Sequence, residues 1–274
     1  MHGSVPRGAI EPLYFGPSTK PLFGCYYAPL AGVSRDCGVV LCYPMGEEYI
    51  RFHRACRELA LRLSNVGFRV LRFDFYGCGD SAGRFDQGST GQWLTDLDTA
   101  IRDMRRRCGV TKVCLVGLRL GGTLSIMAGS GRQDIDGMVL WDPVINGIAH
   151  IEELTTLHHK MLQYAHVKPK RLMTDGKQAE ILGFPLADSL IQDLESIDLL
   201  AIRHKPANNI LVIESNEEVG QERLAQHLGS IGAHVAYQQH PSPQIWVWTE
   251  DVIRILVPHP ILEATVSWIS EVYP

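Results

Sequence analysis

The sequence predicts one large α/β domain, with a mostly parallel central sheet, helices on both faces of the sheet and a helical cap insertion. Three observations support this prediction. Apolar runs of strand length alternate with amphipathic helices from Gly38 to Val144, which is typical of a parallel sheet with right-handed crossovers. Residues 146–205 then lack a strand pattern, and the strand and helix alternation resumes after them. The 274 residues are enough to bury a full core.

The first half of the chain supplies three predicted strands and two helices before the central turn. The strands lie within PLFGCYYAPL, CGVVLCYPMG and FRVLRFDFYG, and the second is apolar throughout, as expected of a strand buried on both faces. Residues 49–67 have apolar positions three and four apart and end at a glycine, which predicts an amphipathic helix. The same spacing predicts a second helix in GQWLTDLDTAIRDMRRRCG, and VTKVCLVG predicts the next strand.

The second half predicts the rest of the sheet and the domain boundaries. A helix after GLRLGG is followed by strand DGMVLWDPV, and later by strands NNILVIES and AHVAYQQH with the helix ERLAQHLGSIG between them. The last helix, PHPILEATVSWISEVY, has proline at its start. We expect a core domain of residues 13–145 and 206–274, with residues 146–205 lying over the sheet as the cap. The first eight residues are left out of this assignment.

Composition limits the classes of partner. The formal net charge is −4 and the basic residues are scattered, which argues against nucleic-acid binding. No apolar run reaches membrane-spanning length and the N-terminus lacks a signal-peptide core, so we expect no membrane insertion. Seven cysteines without a CxxC spacing favour a reducing, cytoplasmic location. A homodimer is left open.

The turn Gly117-x-Arg119-x-Gly121 is the most informative motif. It lies between a predicted strand and a predicted helix, where a nucleophile elbow would present a serine oxygen. A guanidinium stays protonated in proteins and donates hydrogen bonds without accepting them. Arg119 therefore cannot act as a nucleophile.

Five motifs together resemble those of the α/β-hydrolase superfamily, over about residues 15–268. They are CYPMGEEY, LRFDFYGCGDSAG, GLRLGG, LWDPVING and PHPILEAT. The chain is most similar to the exosortase A system-associated hydrolases of the second type and to lysophospholipase-like bacterial α/β-hydrolases. This resemblance implies an α/β-hydrolase fold with arginine as the usual elbow residue and a structural role for the glycine-rich LRFDFYGCGDSAG loop. It implies no established substrate.

The partners of a serine triad are incomplete in this sequence. Asp142 ends its strand, and Glu217 and Glu218 follow another strand where the superfamily places its acid, although each carboxylate is equally well explained as a loop cap. The loop PSPQIWVWTEDV, where the base is expected, contains no histidine. His240 and His259 flank that loop, and either would have to fold inward to act.

Other nucleophiles are poor candidates. Ser125 lies inside the predicted elbow helix, Ser81 is a predicted backbone cap and Cys78 is flanked by glycines in a structural loop. We expect structural roles for all three.

Arg119 has two compatible interpretations. It either forms an ion pair with Glu47 or Glu48, whose loop should pass above the elbow, or binds an anion together with the free N–H groups at the start of the elbow helix. The residues assigned to chemistry are Arg119, Asp142, Glu48 and His259. The residues assigned to ligand binding are Met45, Gly46, Glu47, Leu120, Trp141 and Trp246.

Metal and cofactor signals are weak. HIEEL and the His158-His159 pair lack the His-x-x-x-His spacing of a helical zinc site, and we expect these histidines to be exposed on the cap. The chain has no GxGxxG motif and no phosphate-loop lysine. We therefore expect neither a metal nor a cofactor.

Three functions remain open on the sequence. The first is a protein with a degenerate triad that binds, or transforms without a covalent intermediate, an acyl or anionic small molecule. The second is an active esterase or thioesterase that uses water or an unconventional nucleophile. The third is a non-catalytic partner in an export or biosynthetic pathway, as the exosortase resemblance suggests.

Overall fold

A central eight-stranded sheet organises the protein, as a computed structural model shows. The structure describes residues 8–30, 34–165, 179–216, 220–247 and 256–274. The strands of the central sheet are β1 (Ile10–Phe15), β2 (Leu22–Tyr27), β3 (Cys37–Cys42), β4 (Arg69–Phe73), β5 (Lys112–Leu118), β6 (Gly137–Trp141), β9 (Asn209–Glu214) and β10 (His234–Gln239), and the hairpin strands are β7 (Ala179–Ile181) and β8 (Phe184–Leu186).

The sheet is mostly parallel, as predicted. Its strand order is β1-β2-β4-β3-β5-β6-β9-β10, and only the pairs of β2 with β1 and with β4 are antiparallel. All seven strands predicted from the sequence are present. The sequence analysis missed β1, since IEPLYF is interrupted by proline and alternates between exposed and buried positions. The sheet therefore begins before residue 13, the predicted boundary.

Helices cover both faces of the sheet. They are α1 (Gly46–Asn65), α2 (Thr90–Cys108), α3 (Leu120–Ser130), α4 (Gly147–Tyr164), α5 (Asp188–Glu195), α6 (Gln221–Ser230) and α7 (His259–Val272). Apolar residues of α1 and α7 form one buried cluster with one face of the sheet, and those of α2, α3 and α6 form a second cluster with the other. The apolar spacing in α1 correctly predicted its buried stripe: Phe52, Ala55, Cys56, Leu59, Ala60 and Leu63.

The described residues between β6 and β9 contribute no strand to the central sheet. They include α4, the β7-β8 hairpin and α5, and α4 packs against α5. The hairpin corrects the expectation of a segment without strands, because two strands of only three residues leave no recognisable periodicity. His158 is also a correction, since it is buried and its Nδ1 accepts a hydrogen bond from the Leu182 backbone N–H at 3.0 Å.

Two further properties concern the described residues. None of their helices is both long and apolar enough to span a bilayer. All seven cysteines lie among them, and none forms a disulfide.

Candidate functional site

The elbow between β5 and α3 holds Arg119 in a constrained backbone conformation. Arg119 has φ 50° and ψ −124°, a positive φ that costs free energy for a residue with a side chain. The flanking glycines are required by close backbone approach. A Cβ on Gly117 would lie 2.4 Å from the Gly122 nitrogen, and one on Gly121 would lie 2.2 Å from the Cys42 carbonyl oxygen. The turn that would present a nucleophile is therefore intact and presents a guanidinium instead.

The Arg119 side chain is 3% exposed and lies among four side chains from separate parts of the fold. Its Nε donates to Glu48 Oε1 of α1 at 3.0 Å, and its Nη2 donates to Glu153 Oε2 of α4. Its Nη2 also lies 3.3 Å from His150 Nδ1, and its Cζ lies 5.4 Å from the centre of the Trp246 ring. The guanidinium is thus held between two carboxylates, with an indole on one side.

These contacts keep the group ionised. Burial lowers the pKa of Arg119, but the charges of Glu48 and Glu153 outweigh burial and raise it. Partial burial raises the pKa of Glu153, but the adjacent His150 and Arg119 outweigh it and bring this pKa to about 2. The ion pair expected from the sequence is present, with Glu48 as one partner. Glu47 instead accepts a hydrogen bond from Arg51 at 2.8 Å.

A cavity of about 1000 Å³ lies beside the guanidinium, between α4 and the segments that follow β6, β9 and β10. Its described lining is Arg119, Val144, Ile145, Asn146, Ala149, His150, Glu152, Glu153, Thr156, Leu157, Lys160, Asp198, Leu200, Asn216, Gly220, Arg223, Gln244 and Val247. The lining combines an apolar part with three basic and three acidic side chains. This volume is at the upper end of the range typical of small-molecule sites.

The residues predicted to bind ligand lie mostly apart from this cavity. Its lining does not include Met45, Gly46, Glu47, Leu120, Trp141 or Trp246. Of these six, Trp246 contacts Arg119, and Trp141 is buried with its Nε1 donating to Ser215 Oγ at 3.1 Å. The lining comes instead from α4 and from the segments that follow β6, β9 and β10. A sequence pattern cannot show on which side of the elbow the inserted helix packs.

Asp142 follows β6 and is fully buried, but its carboxylate is bound to Ser215 and makes no hydrogen bond to Arg119. It accepts hydrogen bonds from the backbone N–H of Ser215, at 3.1 Å, and from the Ser215 hydroxyl. Burial raises the pKa of Asp142 to about 6, against the opposing effects of these hydrogen bonds. The hydrogen bonds of this carboxylate thus go to Ser215.

We expect Asp142→Asn to stabilise the protein at neutral pH. The pKa of Asp142 is raised from 3.8 when unfolded to about 6 when folded, so the folded state holds the proton more tightly and stability falls as pH rises from about 4 to 6. Asparagine removes that loss, which amounts to about 1–3 kcal/mol. The free energy of unfolding from urea titrations should increase at pH 7.5, and the increase should vanish near pH 4. An equal effect at both pH values would contradict this assignment.

Two histidines considered as bases lie away from Arg119. His259 is exposed at the start of α7, with its Nδ1 2.5 Å from Nη2 of Arg62, so it is a helix-entry residue and does not reach the elbow as its assignment to chemistry would require. Because α7 packs against α1, its first residue lies at the end of α1 opposite Glu48. His240 Nε2 lies 3.0 Å from Gln238 Oε1.

Glu217 and Glu218, the candidate acids after β9, lie outside the described residues.

The alternative nucleophiles have structural contacts. Ser125 is buried and donates to the Gly121 carbonyl at 2.8 Å. Ser81 donates to the Asp74 carbonyl at 2.6 Å and accepts from the Phe23 N–H at 2.8 Å. Burial raises the pKa of Cys78 to about 12, which leaves the thiol protonated.

Sequence analysis missed His150 and Glu153. They lie three residues apart on α4, so both side chains lie on one helix face, and His150 Nδ1 is 3.6 Å from Glu153 Oε2. That spacing in HIEEL was the available signal. His150 is also buried, contrary to the expectation of an exposed histidine. Among the described residues, no cluster of three or more His, Cys, Asp or Glu side chains has the arrangement of a metal site.

Solved structures of esterases and serine hydrolases share this fold. A ferulic-acid-bound Est1E from Butyrivibrio proteoclasticus matches with a TM-score of 0.64 and 14% identity, covering 94% of this chain and 98% of that one. XC6422 from Xanthomonas campestris, described as a serine hydrolase without a lid, matches with a TM-score of 0.63 and 14% identity, covering 100% and 99%. At such identity these likenesses establish the α/β-hydrolase fold alone.

Two sequence comparisons add to the fold. Human protein ABHD12B is 31% identical over 127 residues, which cover 44% of this chain and 33% of that protein, so the chain spans about a third of the length of this curated relative. The family described as serine aminopeptidase, S33, matches residues 35–200. This match includes the elbow, although the elbow residue here is arginine. Because it extends over more than half of the chain, the protein belongs to the serine aminopeptidase S33 family of α/β-hydrolases.

Proposed function

We propose that this α/β-hydrolase-fold protein has a degenerate triad and binds a carboxylate- or acyl-type small molecule beside Arg119, without covalent serine chemistry. One observation carries the proposal: the position of the serine nucleophile is occupied by a guanidinium that also forms part of the wall of a cavity of about 1000 Å³. A buried guanidinium recognises carboxylates through charge and paired N–H donors. The elbow would thus act in binding.

The contents of the site favour binding over esterase chemistry. Arg119 cannot accept a proton. His150, the histidine in contact with Arg119, lies on α4, where its Nδ1 is also 3.6 Å from the carboxylate of Glu153. Asp142, at the end of β6, is bound to Ser215. His240 directly follows β10, but its Nε2 lies 3.0 Å from Gln238 Oε1 and it has no described contact with Arg119, and residues 241–258 contain no histidine. These features support a function in which the ligand is held and not cleaved.

The inserted segment would act as the cap of this site. The helix α4 supplies seven residues to the cavity lining: Ala149, His150, Glu152, Glu153, Thr156, Leu157 and Lys160. Together with Val144, Ile145 and Leu200, its apolar residues give the cavity a surface suited to a hydrocarbon chain. An acyl carboxylate would match this combination of a guanidinium and an apolar wall.

Calorimetric titration with a matched pair of ligands tests the proposal. Hexanoate and hexanamide have nearly the same shape and differ in charge, and ferulate, the ligand of the Butyrivibrio esterase structure, is a larger carboxylate. We expect wild type to bind hexanoate at least about tenfold more tightly than hexanamide, because a charged hydrogen bond to arginine is about twice as strong as a neutral one.

The control removes the guanidinium without leaving a buried carboxylate unpaired. In Arg119→Met/Glu48→Gln both ionised partners of the buried pair become neutral, and the preference for hexanoate should disappear. A preference of the same size in this double variant would contradict the proposal, as would equal binding of both ligands by wild type.

A further inference from the structure

We propose that the side chain of Glu153 occupies the position of the ligand's carboxylate, so that the protein holds an internal stand-in for its ligand and binding requires Glu153 to turn away. This inference rests on the proposed function. It identifies the carboxylate position inside the cavity and makes Glu153 the residue that sets the affinity. Both residues of the contact, Arg119 and Glu153, line the cavity.

The two carboxylates on Arg119 differ in their surroundings. The Glu48 side chain is 4% exposed and comes from α1, and it is not part of the cavity lining. The Glu153 side chain is 37% exposed and comes from α4, in the cavity wall. Moving Glu48 away would leave its charge buried, whereas Glu153 can turn toward solvent by rotation about its own side-chain bonds. Glu48 is therefore the permanent partner, and Glu153 is the exchangeable one.

Charge also favours an exchange over simple addition. With both glutamates in place, Arg119 already faces two negative charges, and a third carboxylate would be repelled. If the ligand's carboxylate replaces that of Glu153, the charge around the guanidinium is unchanged. The hydrogen bond from Arg119 Nη2 is then transferred from one carboxylate to another.

An unsatisfied group next to Glu153 independently indicates a ligand. His150 is 97% buried and lines the cavity, and its Nε2 has no hydrogen-bond partner among the residues that the structure describes. Its Nδ1 lies closer to the Arg119 donor, at 3.3 Å, than to Glu153 Oε2, at 3.6 Å. Nδ1 thus lies between the Arg119 guanidinium and the Glu153 carboxylate, and Nε2 is left to pair with a group outside these three side chains. Buried polar groups are almost always paired, and a ligand oxygen would pair this one.

The ligand class follows from these groups. The position taken by Glu153 accepts a carboxylate, and Nε2 of His150 is available to pair with a second polar group near it. We therefore expect carboxylic acids with a hydroxyl or carbonyl oxygen close to the carboxylate to bind more tightly than simple carboxylates of equal length. In the titrations, 2-hydroxyhexanoate should bind about fivefold or more tighter than hexanoate, and His150→Phe should remove that advantage.

Replacing Glu153 tests the stand-in directly. If the competent state is populated only in part, the apparent affinity of wild type is lowered by that fraction. We expect Glu153→Ala to bind hexanoate about tenfold more tightly than wild type, and Glu153→Gln, whose amide oxygen still accepts from Arg119, to be intermediate. Glu195→Ala removes the same charge from an exposed residue of α5 that does not line the cavity, and should change affinity less than about threefold.

Acetate provides a second readout that does not depend on the proposed ligand. In Glu153→Ala, about 100 mM acetate should fill the vacated position and raise the melting temperature by several degrees relative to equal sodium chloride. Wild type should show no such difference. If Glu153→Ala does not fold, Glu153→Ser is titrated in the same way.

The two readouts separate the possible failures. Equal hexanoate affinity in wild type and Glu153→Ala, with no effect of acetate, would overturn the stand-in and leave the proposed function in place. Stabilisation of Glu153→Ala by acetate without hexanoate binding by any variant would retain the stand-in and overturn the proposed function.

Discussion

Substituting Arg119 with methionine should destabilise the protein by about 3–5 kcal/mol. The substitution leaves Glu48 buried with neither of its oxygens paired, since Arg119 provides the hydrogen bond to Oε1 and Oε2 has no partner among the described residues. Breaking a buried ion pair by removing one partner typically costs this much, because the remaining charge has lost both water and its counterion. Thermal unfolding of wild type and Arg119→Met measures the effect, which corresponds to a melting temperature lower by roughly 10 °C.

The double variant identifies the cause of this loss. Adding Glu48→Gln to Arg119→Met removes the unpaired charge and should restore most of the stability, since neutral replacement of a buried pair is often nearly neutral in stability. The matched control is Arg62→Met, which removes another ion-paired arginine whose partners, Glu58 and Glu263, are much more exposed, and should cost less than about 1 kcal/mol. Equal losses in Arg119→Met and the double variant would show that packing, and not charge, is responsible.

Restoring serine at the elbow should not restore serine hydrolase activity. In a complete triad, loss of the nucleophile costs on the order of 10⁶-fold in kcat, but this contribution requires a histidine that accepts its proton. We expect Arg119→Ser to hydrolyse p-nitrophenyl acetate and an acyl-thioester less than tenfold faster than wild type. We also expect no labelling of wild type by a serine-directed fluorophosphonate. Initial rates are measured against heat-denatured protein.

His150 is the residue to test as a base if Arg119→Ser gains activity. The imidazole of His150 contacts the Arg119 side chain at 3.3 Å, and a serine at position 119 would have a shorter side chain that leaves a gap of several ångströms. If Arg119→Ser nevertheless gains activity, adding His150→Ala shows whether this residue is the base. Substantial turnover by wild type would contradict the binding proposal, because Arg119 would then stabilise charge in a reaction performed by other groups.

Seven strands of the central sheet could be read from the sequence, whereas β1 and the β7-β8 hairpin could not. Strands such as β3 and β5 are buried on both faces, so their apolar runs are unambiguous. In β1, alternating exposure and a proline at position 12 obscure the pattern, and the three-residue strands β7 and β8 are too short to have one. Periodicity thus identified the strands with a clear apolar pattern, including the edge strand β10, and missed those whose pattern is interrupted or very short.

The sequence also identified some residues of the candidate site and missed others. Arg119 was identified because the elbow is a local motif, and Glu48 because its loop follows a neighbouring parallel strand. Glu153 and His150 reach the guanidinium from α4, which lies more than 25 residues further along the chain, and their contact depends on how the inserted segment packs. His259 was assigned to the site from its position in the chain, but its helix begins at the far end of α1.

By itself, the sequence determined the parallel sheet, the elbow turn and the loss of the serine nucleophile. Each of these depends on residues close together in the chain, on backbone sterics and on apolar periodicity. Only the tertiary structure decided which charges surround Arg119, that one of them is partly exposed, and on which side of the elbow the cavity lies. Those properties depend on burial and on distances of a few ångströms between elements far apart in sequence, since both the strength of an ion pair and the cost of breaking it are set by the surrounding solvent.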